Sequence, residues 1–216
     1  MDLQNGWKNA AAPYAGATYT LVGSLCFLEG RIEKGNNYGT LAQLPAECRP
    51  TKKQMFNQNV GASSNRIDVQ ADGEVKYASG QSDWVSFSGI VFSTTKPAQK
   101  PLELANGWVT NGGSDDVFGI PTYSNTHGHC LVEGRLKGDL VSGGDLLAQL
   151  PVECWPMRQL IFNQAFGDVA IEVDVSEFGE ISYTTDTSTS GGTISLSGII
   201  FGAPRDDACC LQCPHG

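Results

Sequence analysis

Apolar and polar positions alternate in several short segments of the chain. Residues 66–69 alternate in this way, and residues 74–77 alternate back after Asp72-Gly73, a dipeptide typical of hairpin turns. Residues 84–92 and 193–201 each predict a long closing strand. No segment of useful length has a helical period. Short strands separated by Gly, Pro and Asn predict an antiparallel sandwich or jelly roll.

Each half of the chain contains one further predicted strand, at residues 20–28 and 124–132. The strands continue at residues 31–33 and 135–137, beyond Gly30 and Gly134. These glycines indicate a bulge, because glycine inside a strand pattern often marks one. Residues 41–45, Leu-Ala-Gln-Leu-Pro, predict a short strand that ends at the proline.

The two halves repeat one long motif. Residues 26–50 read CFLEGRIEKGNNYGTLAQLPAECRP, and residues 130–156 read CLVEGRLKGDLVSGGDLLAQLPVECWP. A motif of this length does not recur by chance, so the chain is a tandem duplication. The loop inside the motif differs by two residues between the copies. Insertions collect on surfaces, so we expect this loop to be exposed.

The predicted fold is all-β, with two tandem antiparallel β-sandwich, jelly-roll-like domains. The first covers residues 1–95 and the second residues 102–204; these are called repeat one and repeat two. Residues 96–101 form a linker that two prolines make semi-rigid. Residues 205–216 form a Cys-rich tail outside both copies.

The net charge limits the classes of partner that the chain is expected to bind. The formal net charge is −9 and the pI is about 4.7. Such a surface repels phosphate backbones, which argues against nucleic-acid binding and favours a cationic or neutral partner such as a glycan. The sequence contains no run of 18 apolar residues that would span a membrane.

Four of the seven cysteines occupy matching places in the two copies. We expect the disulfides Cys26–Cys48 and Cys130–Cys154, each worth about 3 kcal/mol in the chain-entropy model. Buried free thiols and metal or redox chemistry are the alternatives. The spacing, without a Cys-X-X-Cys, argues against zinc. Disulfides predict an oxidising, extracellular compartment.

The first ten residues, MDLQNGWKNA, do not resemble a signal peptide. Either Met1 begins a mature or truncated numbering or the cysteines are reduced, and we favour the former. The tail cysteines Cys209, Cys210 and Cys213 make the cysteine count odd. We expect them to pair with another chain, with a downstream segment or within the tail. A metal site with His215 and an irrelevant tail are the alternatives.

The order of motifs carries a family resemblance. Asn-Gly-Trp, Leu-Pro-X-X-Cys-X-Pro, Ile-Asp-Val with Asp-Gly, and Trp-Val-Ser-Phe-Ser-Gly-Ile-Val-Phe occur in sequence. This order resembles the β-sandwich tip repeats of phage tail fibres and receptor-binding proteins, which are also found in extracellular proteins of microbes, including protists. The resemblance implies surface or glycan recognition, or fibre building.

The chain departs from that pattern in its cysteines, in its tail, and in repeat two, which lacks counterparts of Arg66 and Trp84. The viral repeats assemble as trimers, and two copies on one chain argue against a simple trimer.

Trp84 is the leading candidate for ligand binding, together with Ser86 and Ser88. The strand period places these three side chains on the face opposite Val85 and Phe87. An aromatic ring on a serine-lined face suits sugar stacking or a protein interface. Thr193 replaces the Trp in repeat two, so the fold does not require it. Cover by a neighbouring loop or subunit is the alternative.

Two other patterns favour structural roles. His127 and His129 lie two apart on a predicted strand and would share a face, as metal ligands or as a polar strand surface. Glu29 with Arg31, and Glu133 with Arg135, recur in both copies and predict a structural ion pair in each.

No nucleophile elbow, phosphate loop or dinucleotide motif occurs. We therefore expect a protein without enzymatic activity, cofactor or metal. The expected function is an extracellular binding or adhesion module that recognises a glycan or a protein surface. The alternative is a structural subunit of an extracellular filament or larger assembly, joined to other copies through tail cysteines.

Overall fold

The computed structural model describes residues 1–33, 35, 39–60, 63–80, 83–95, 99–111, 117–166 and 169–203. The described chain is built from β-strands and two short 3-10 helices, Ala46–Cys48 and Val152–Cys154. All strand pairs are antiparallel. The predicted all-β, sandwich-like class is confirmed. No helix in the described ranges is long and apolar enough to cross a membrane.

Repeat one contains the first eleven strands: β1 (Asp2–Leu3), β2 (Lys8–Asn9), β3 (Thr18–Val22), β4 (Leu25–Glu29), β5 (Arg31–Glu33), β6 (Gly39–Gln43), β7 (Gln54–Val60), β8 (Ser63–Val69), β9 (Glu74–Ser79), β10 (Trp84–Ser86) and β11 (Ile90–Ser93). They form a sheet of order β1-β6-β9-β8-β7 and two three-stranded sheets, β10-β5-β2 and β11-β4-β3.

The later strands are β12 (Lys100–Pro101), β13 (Glu103–Leu104), β14 (Val109–Thr110), β15 (Thr122–Thr126), β16 (His129–Glu133), β17 (Arg135–Leu140), β18 (Asp145–Gln149), β19 (Leu160–Phe166), β20 (Val169–Val175), β21 (Glu180–Thr184), β22 (Thr189–Ser195) and β23 (Ile199–Gly202). One sheet has the order β12-β15-β16-β23. The pair Phe166–Ile194 joins the counterparts of the other two repeat-one sheets into one eight-stranded sheet.

Each repeat buries its own apolar core. In repeat one, Trp7 packs edge-on against Tyr77 with ring centroids 6.1 Å apart. Trp108 and Tyr183 make the same contact at 5.8 Å in repeat two. The division into two domains stays a prediction, and residues 96–98 of the expected linker lie outside the described ranges.

Both expected disulfides are present. Cys26–Cys48 and Cys130–Cys154 each have a Cα–Cα distance of 5.5 Å. The half-cystines are fully buried in the cores. In each repeat the bond ties a central strand to the 3-10 helix that follows the Leu-Pro motif. Two such bonds are consistent with folding in an oxidising compartment.

The prediction of one strand over residues 20–28, and of one over 124–132, is wrong. Each segment is a hairpin, β3–β4 and β15–β16. Gly23 has a φ of 59° at the first turn, and His127 and Gly128 have φ values of 54° and 78° at the second. Positive φ at the centre of a two-residue turn matches the twist of the paired strands.

The prediction of a continuous closing strand is also wrong. In repeat one the chain turns at Gly89, with a φ of 90°, and passes from β10 in one sheet to β11 in another. Gly198, with a φ of 93°, separates β22 from β23 in the same way. Gly30 and Gly134 mark sheet switches too, from β4 to β5 and from β16 to β17, rather than simple bulges.

A third apolar cluster joins the repeats. Its members come from the outer faces of the disulfide-bearing sheets: Leu25, Val91 and Leu131, with Phe27 and Ile200 packed against them. Because this cluster draws on both repeats, it fixes one repeat against the other.

Candidate binding surface

The predicted residues Trp84 and Ser86 lie on β10, and Ser88 lies in the turn that follows it. Val85 and Phe87 are fully buried, whereas Trp84 and Ser86 are half-buried and Ser88 is exposed. Trp84 is therefore less exposed than the pattern suggested. The backbone N–H of Ser88 donates to Ser86 Oγ at 3.3 Å, which fixes the turn after β10.

Arg31 covers part of Trp84. β10 pairs with β5, so that Ser86 stands opposite Arg31 and Trp84 opposite Glu33. The Arg31 guanidinium carbon lies 4.4 Å from the Trp84 ring centroid and 4.2 Å from that of Tyr14. Contacts of this kind contribute about 0.5–1 kcal/mol at exposed sites. Together these residues, Tyr14, Arg31, Trp84, Ser86 and Ser88, are called the repeat-one surface.

The predicted ion pair Glu29–Arg31 is wrong. Arg31 instead approaches Glu33, with 3.8 Å between Nη2 and Oε2. The switch of sheets at Gly30 separates Glu29 from Arg31, because β4 and β5 belong to different sheets.

Repeat two has a matching set of groups. The Arg135 guanidinium carbon lies 4.8 Å from the ring centroid of Phe118, the counterpart of Tyr14. The Ser197 N–H donates to Ser195 Oγ at 3.3 Å, as Ser88 does to Ser86. Thr193 replaces Trp84, and its Oγ1 accepts a hydrogen bond from Arg135. These residues, Phe118, Arg135, Thr193, Ser195 and Ser197, are called the repeat-two surface.

Residues 53–55 of repeat one cover the repeat-two surface. Three hydrogen bonds hold this segment: Lys53 N–H to Val117 O at 2.8 Å, Ser195 Oγ to Met55 O at 2.6 Å, and Ser197 Oγ to Gln54 Oε1 at 2.6 Å. The Lys53 ammonium also lies 5.2 Å from the Phe118 ring centroid. Phe118 is consequently only 8% exposed, whereas Tyr14 is 53% exposed.

A cleft of about 810 Å³ opens beside this contact at the junction of the repeats. Its lining includes Lys52, Gln99 and Thr122. Lys52 Nζ already donates to Ile120 O at 2.7 Å and to Thr122 Oγ1 at 2.9 Å. These bonds tie the ammonium group to the opposite wall of the cleft.

The predicted ion pair Glu133–Arg135 is wrong, and Glu133 is buried between the repeats at 1% exposure. Its carboxylate accepts from the Ser93 N–H at 3.0 Å and from Gln99 Nε2 at 2.6 Å. Burial raises the pKa of Glu133, and these two bonds and the charge of Lys52 offset part of the rise.

His127 and His129 do not share a strand face. His127 lies in the turn between β15 and β16, and its carbonyl lies 3.2 Å from His129 Nδ1. The His127 ring instead packs over Gly23 of repeat one, where an added Cβ would meet Nε2 at 2.2 Å. Within the described residues no cluster of three or more His, Cys, Asp or Glu side chains has metal-binding geometry. The tail residues Cys209, Cys210 and Cys213 lie outside the described ranges.

The sequence did not single out Tyr14, although a signal existed. Aligning the copies on Arg31 and Arg135 places Tyr14 opposite Phe118, so both repeats keep an aromatic residue there. An aromatic ring that recurs beside a recurring arginine indicates a stacking pair.

Comparison of the chain with protein-family models, curated proteins and solved structures gives no match. The resemblance to phage tail-fibre tip repeats stays a prediction.

Proposed function

We propose that the chain is a non-enzymatic extracellular binding module whose repeat-one surface recognises a protein surface or a glycan. One observation carries the proposal: the duplicated surface in repeat two holds a ligand-like segment, while Tyr14 in repeat one remains more than half exposed. Aromatic rings flanked by hydroxyl groups suit both classes of ligand.

Two features support binding rather than catalysis. Repeat one contains no histidine, so its serines have no imidazole partner from their own repeat. The buried disulfides support an extracellular location, because such bonds persist in oxidising compartments.

The test applies the full chain and its variants to printed arrays of glycans and of short peptides. Trp84→Thr installs the residue that repeat two already carries, so it should fold; Tyr14→Ala removes the exposed ring. We expect at least a tenfold loss of array binding in each variant, the scale of an interface anchor residue. Val109→Ala is the control, because Val109 lies on repeat two, belongs to neither proposed surface and is 53% exposed, as Tyr14 is. Array binding that survives both variants refutes the proposal.

A structural subunit of a larger assembly is the second candidate. Repeat two exposes several large apolar side chains: Val152, Met157, Ile161 and Phe178. Exposed apolar side chains of this size are common at protein interfaces. Light scattering separates the candidates, since an assembly subunit should form large particles without ligand and give no array signal.

A further inference from the structure

The contact with residues 53–55 shows which partner this kind of surface accepts. Lys53 immediately precedes β7, and Gln54 and Met55 are its first two residues, so the extended segment offers a backbone N–H, a side-chain amide oxygen and a backbone carbonyl in succession. Its lysine pairs with Asp68 at 2.7 Å and at the same time places the ammonium group 5.2 Å from the Phe118 ring centroid. The repeat-two surface therefore binds an extended segment of this chain that has the pattern Lys-Gln-X.

The repeat-one surface presents the same receiving groups. Ser86 and Ser88 keep the internal N–H to Oγ bond of 3.3 Å that also orders Ser195 and Ser197. Tyr14 keeps its stacked arginine, as Phe118 does. The surface is thus already arranged for binding, which lowers the ordering cost of association.

The repeat-one surface is also accessible. Ser88 is exposed, and among the described residues none hydrogen bonds to its hydroxyl group. Two acidic residues lie beside the surface: Glu33, which approaches Arg31 at 3.8 Å, stands opposite Trp84 on β5, and the exposed Asp83 precedes Trp84. With a net charge of −9 on the chain, this position favours a cationic partner.

We propose that the repeat-one surface binds an extended segment of another protein in which Lys or Arg precedes a residue with a side-chain amide. The Lys or Arg lies over Tyr14, the amide accepts from Ser88, and the following backbone carbonyl accepts from Ser86. The proposal rests on the function proposed above, because it names the partner class of the same surface.

A second copy of this chain is a poorer occupant. Aligning Phe56-Asn57-Gln58 with Phe162-Asn163-Gln164 places residues 159–161, Gln-Leu-Ile, at the position of residues 53–55. Gln159 has no cation for Tyr14, and Leu160 has no amide for Ser88. The foreign segment therefore needs the chemistry of residues 53–55, which repeat two does not repeat.

The experiment titrates an end-blocked peptide with the sequence of residues 50–57, PTKKQMFN, into the isotope-labelled full chain and follows amide shifts by NMR. We expect saturable shifts at Tyr14, Ser86 and Ser88. The double variant Ser86→Ala/Ser88→Ala should weaken binding about tenfold, since two hydrogen bonds are lost. Norleucine at the position of Lys53 should weaken it about threefold to fivefold.

The control is Ser142→Ala/Ser188→Ala, which removes two exposed hydroxyl groups from repeat two, one of which, Ser188 Oγ, accepts from the Ser142 backbone N–H as Ser86 Oγ accepts from Ser88. It should bind the peptide as the wild type does, and thermal unfolding should show both double variants folded. No saturable shifts up to millimolar peptide, or equal affinity in the Ser86/Ser88 variant, overturns the proposal. So does a concentration-dependent dimer that covers Tyr14. One result separates the two proposals. If the peptide does not bind but the wild type binds glycans and Trp84→Thr does not, the partner class is wrong and the proposed function stands.

Discussion

At the scale of single residues, the two repeats place the same residue type in different environments. Glu29 and Glu133 occupy the same position, yet Glu29 is exposed and Glu133 is buried between the repeats. Ser93 and Gln99 hydrogen bond to the buried carboxylate. A buried carboxylate with two donors and a raised pKa couples the repeat junction to pH.

The first prediction concerns this coupling. The folded-state pKa of Glu133 lies above that of the unfolded chain, so the folded state binds the proton more tightly. The Glu133 contribution to stability is therefore full below its ordinary pKa and is lost as pH rises through the raised value. We expect the free energy of unfolding of the wild type, relative to Glu133→Gln, to fall over that window. The slope should not exceed about 1.4 kcal/mol per pH unit.

Urea unfolding of both proteins between pH 4 and pH 8 measures this difference. Glu29→Gln, at the matching exposed position, is the control for removal of one carboxylate from the surface. Parallel curves for the wild type and Glu133→Gln would show that the Glu133 proton does not distinguish the folded from the unfolded chain.

At the scale of elements, glycines decide where the chain changes sheets. Gly30 has a φ of 100°, and a Cβ at this position would lie 2.1 Å from the Gly16 carbonyl oxygen. Gly134 has a φ of 116° and a similar approach, to Pro121 at 2.6 Å. At Gly89 the φ is 90° but no atom lies within 4 Å of the added Cβ.

These geometries predict unequal costs for the same substitution. Gly89→Ala should lower the free energy of unfolding by about 1–2 kcal/mol, because only the backbone conformation is strained. Gly30→Ala should lower the free energy of unfolding by about 1–3 kcal/mol more, because the methyl group also meets the Gly16 backbone. Chemical denaturation at one pH gives both values, with Gly89→Ala as the control for strain alone. Equal losses would mean that the close approach at Gly30 relaxes without cost.

The sequence predicted the elements better than their connections. Alternation of period two identified the strand residues and the hairpin at Asp72-Gly73, which the structure confirms. It failed at Gly23 and Gly89, where the core-facing side of the alternation shifts by one residue; Phe87 and Ile90, on either side of the second turn, both enter the repeat-one core. The uninterrupted apolar run at residues 90–92 hides this shift, because every position in it is apolar. Glycine at the same place in both closing strands was the available signal.

The candidate surface was predictable in part for a related reason. Strand period placed Trp84, Ser86 and Ser88 on one face, since that is a local property. The contact of Tyr14 and Arg31 with Trp84 depends on the pairing of β10 with β5, which local pattern does not determine. Burial of Glu133 depends on packing between the repeats, and the pattern along a single strand does not predict that packing.

At the scale of the whole molecule, the repeats meet through equivalent faces but not symmetrically. Phe27 and its counterpart Leu131 belong to the same shared cluster. At the margin the symmetry fails, because residues 53–55 cover the repeat-two surface while Ile161, the counterpart of Met55, stays 65% exposed. One receiving surface is consequently filled and the other is left open.

The last prediction compares these two surfaces directly. Ser195→Ala/Ser197→Ala removes the donors to Met55 O and Gln54 Oε1, which stay buried. Each acceptor left without a partner costs about 1–3 kcal/mol, so unfolding should need about 2–6 kcal/mol less. Ser86→Ala/Ser88→Ala removes the equivalent hydroxyl groups, which no other segment of the described chain contacts by a hydrogen bond, and should change the free energy of unfolding by about 0.5 kcal/mol or less. Urea unfolding of the two variants decides, since equal losses would mean that residues 53–55 are not held by the repeat-two serines in solution.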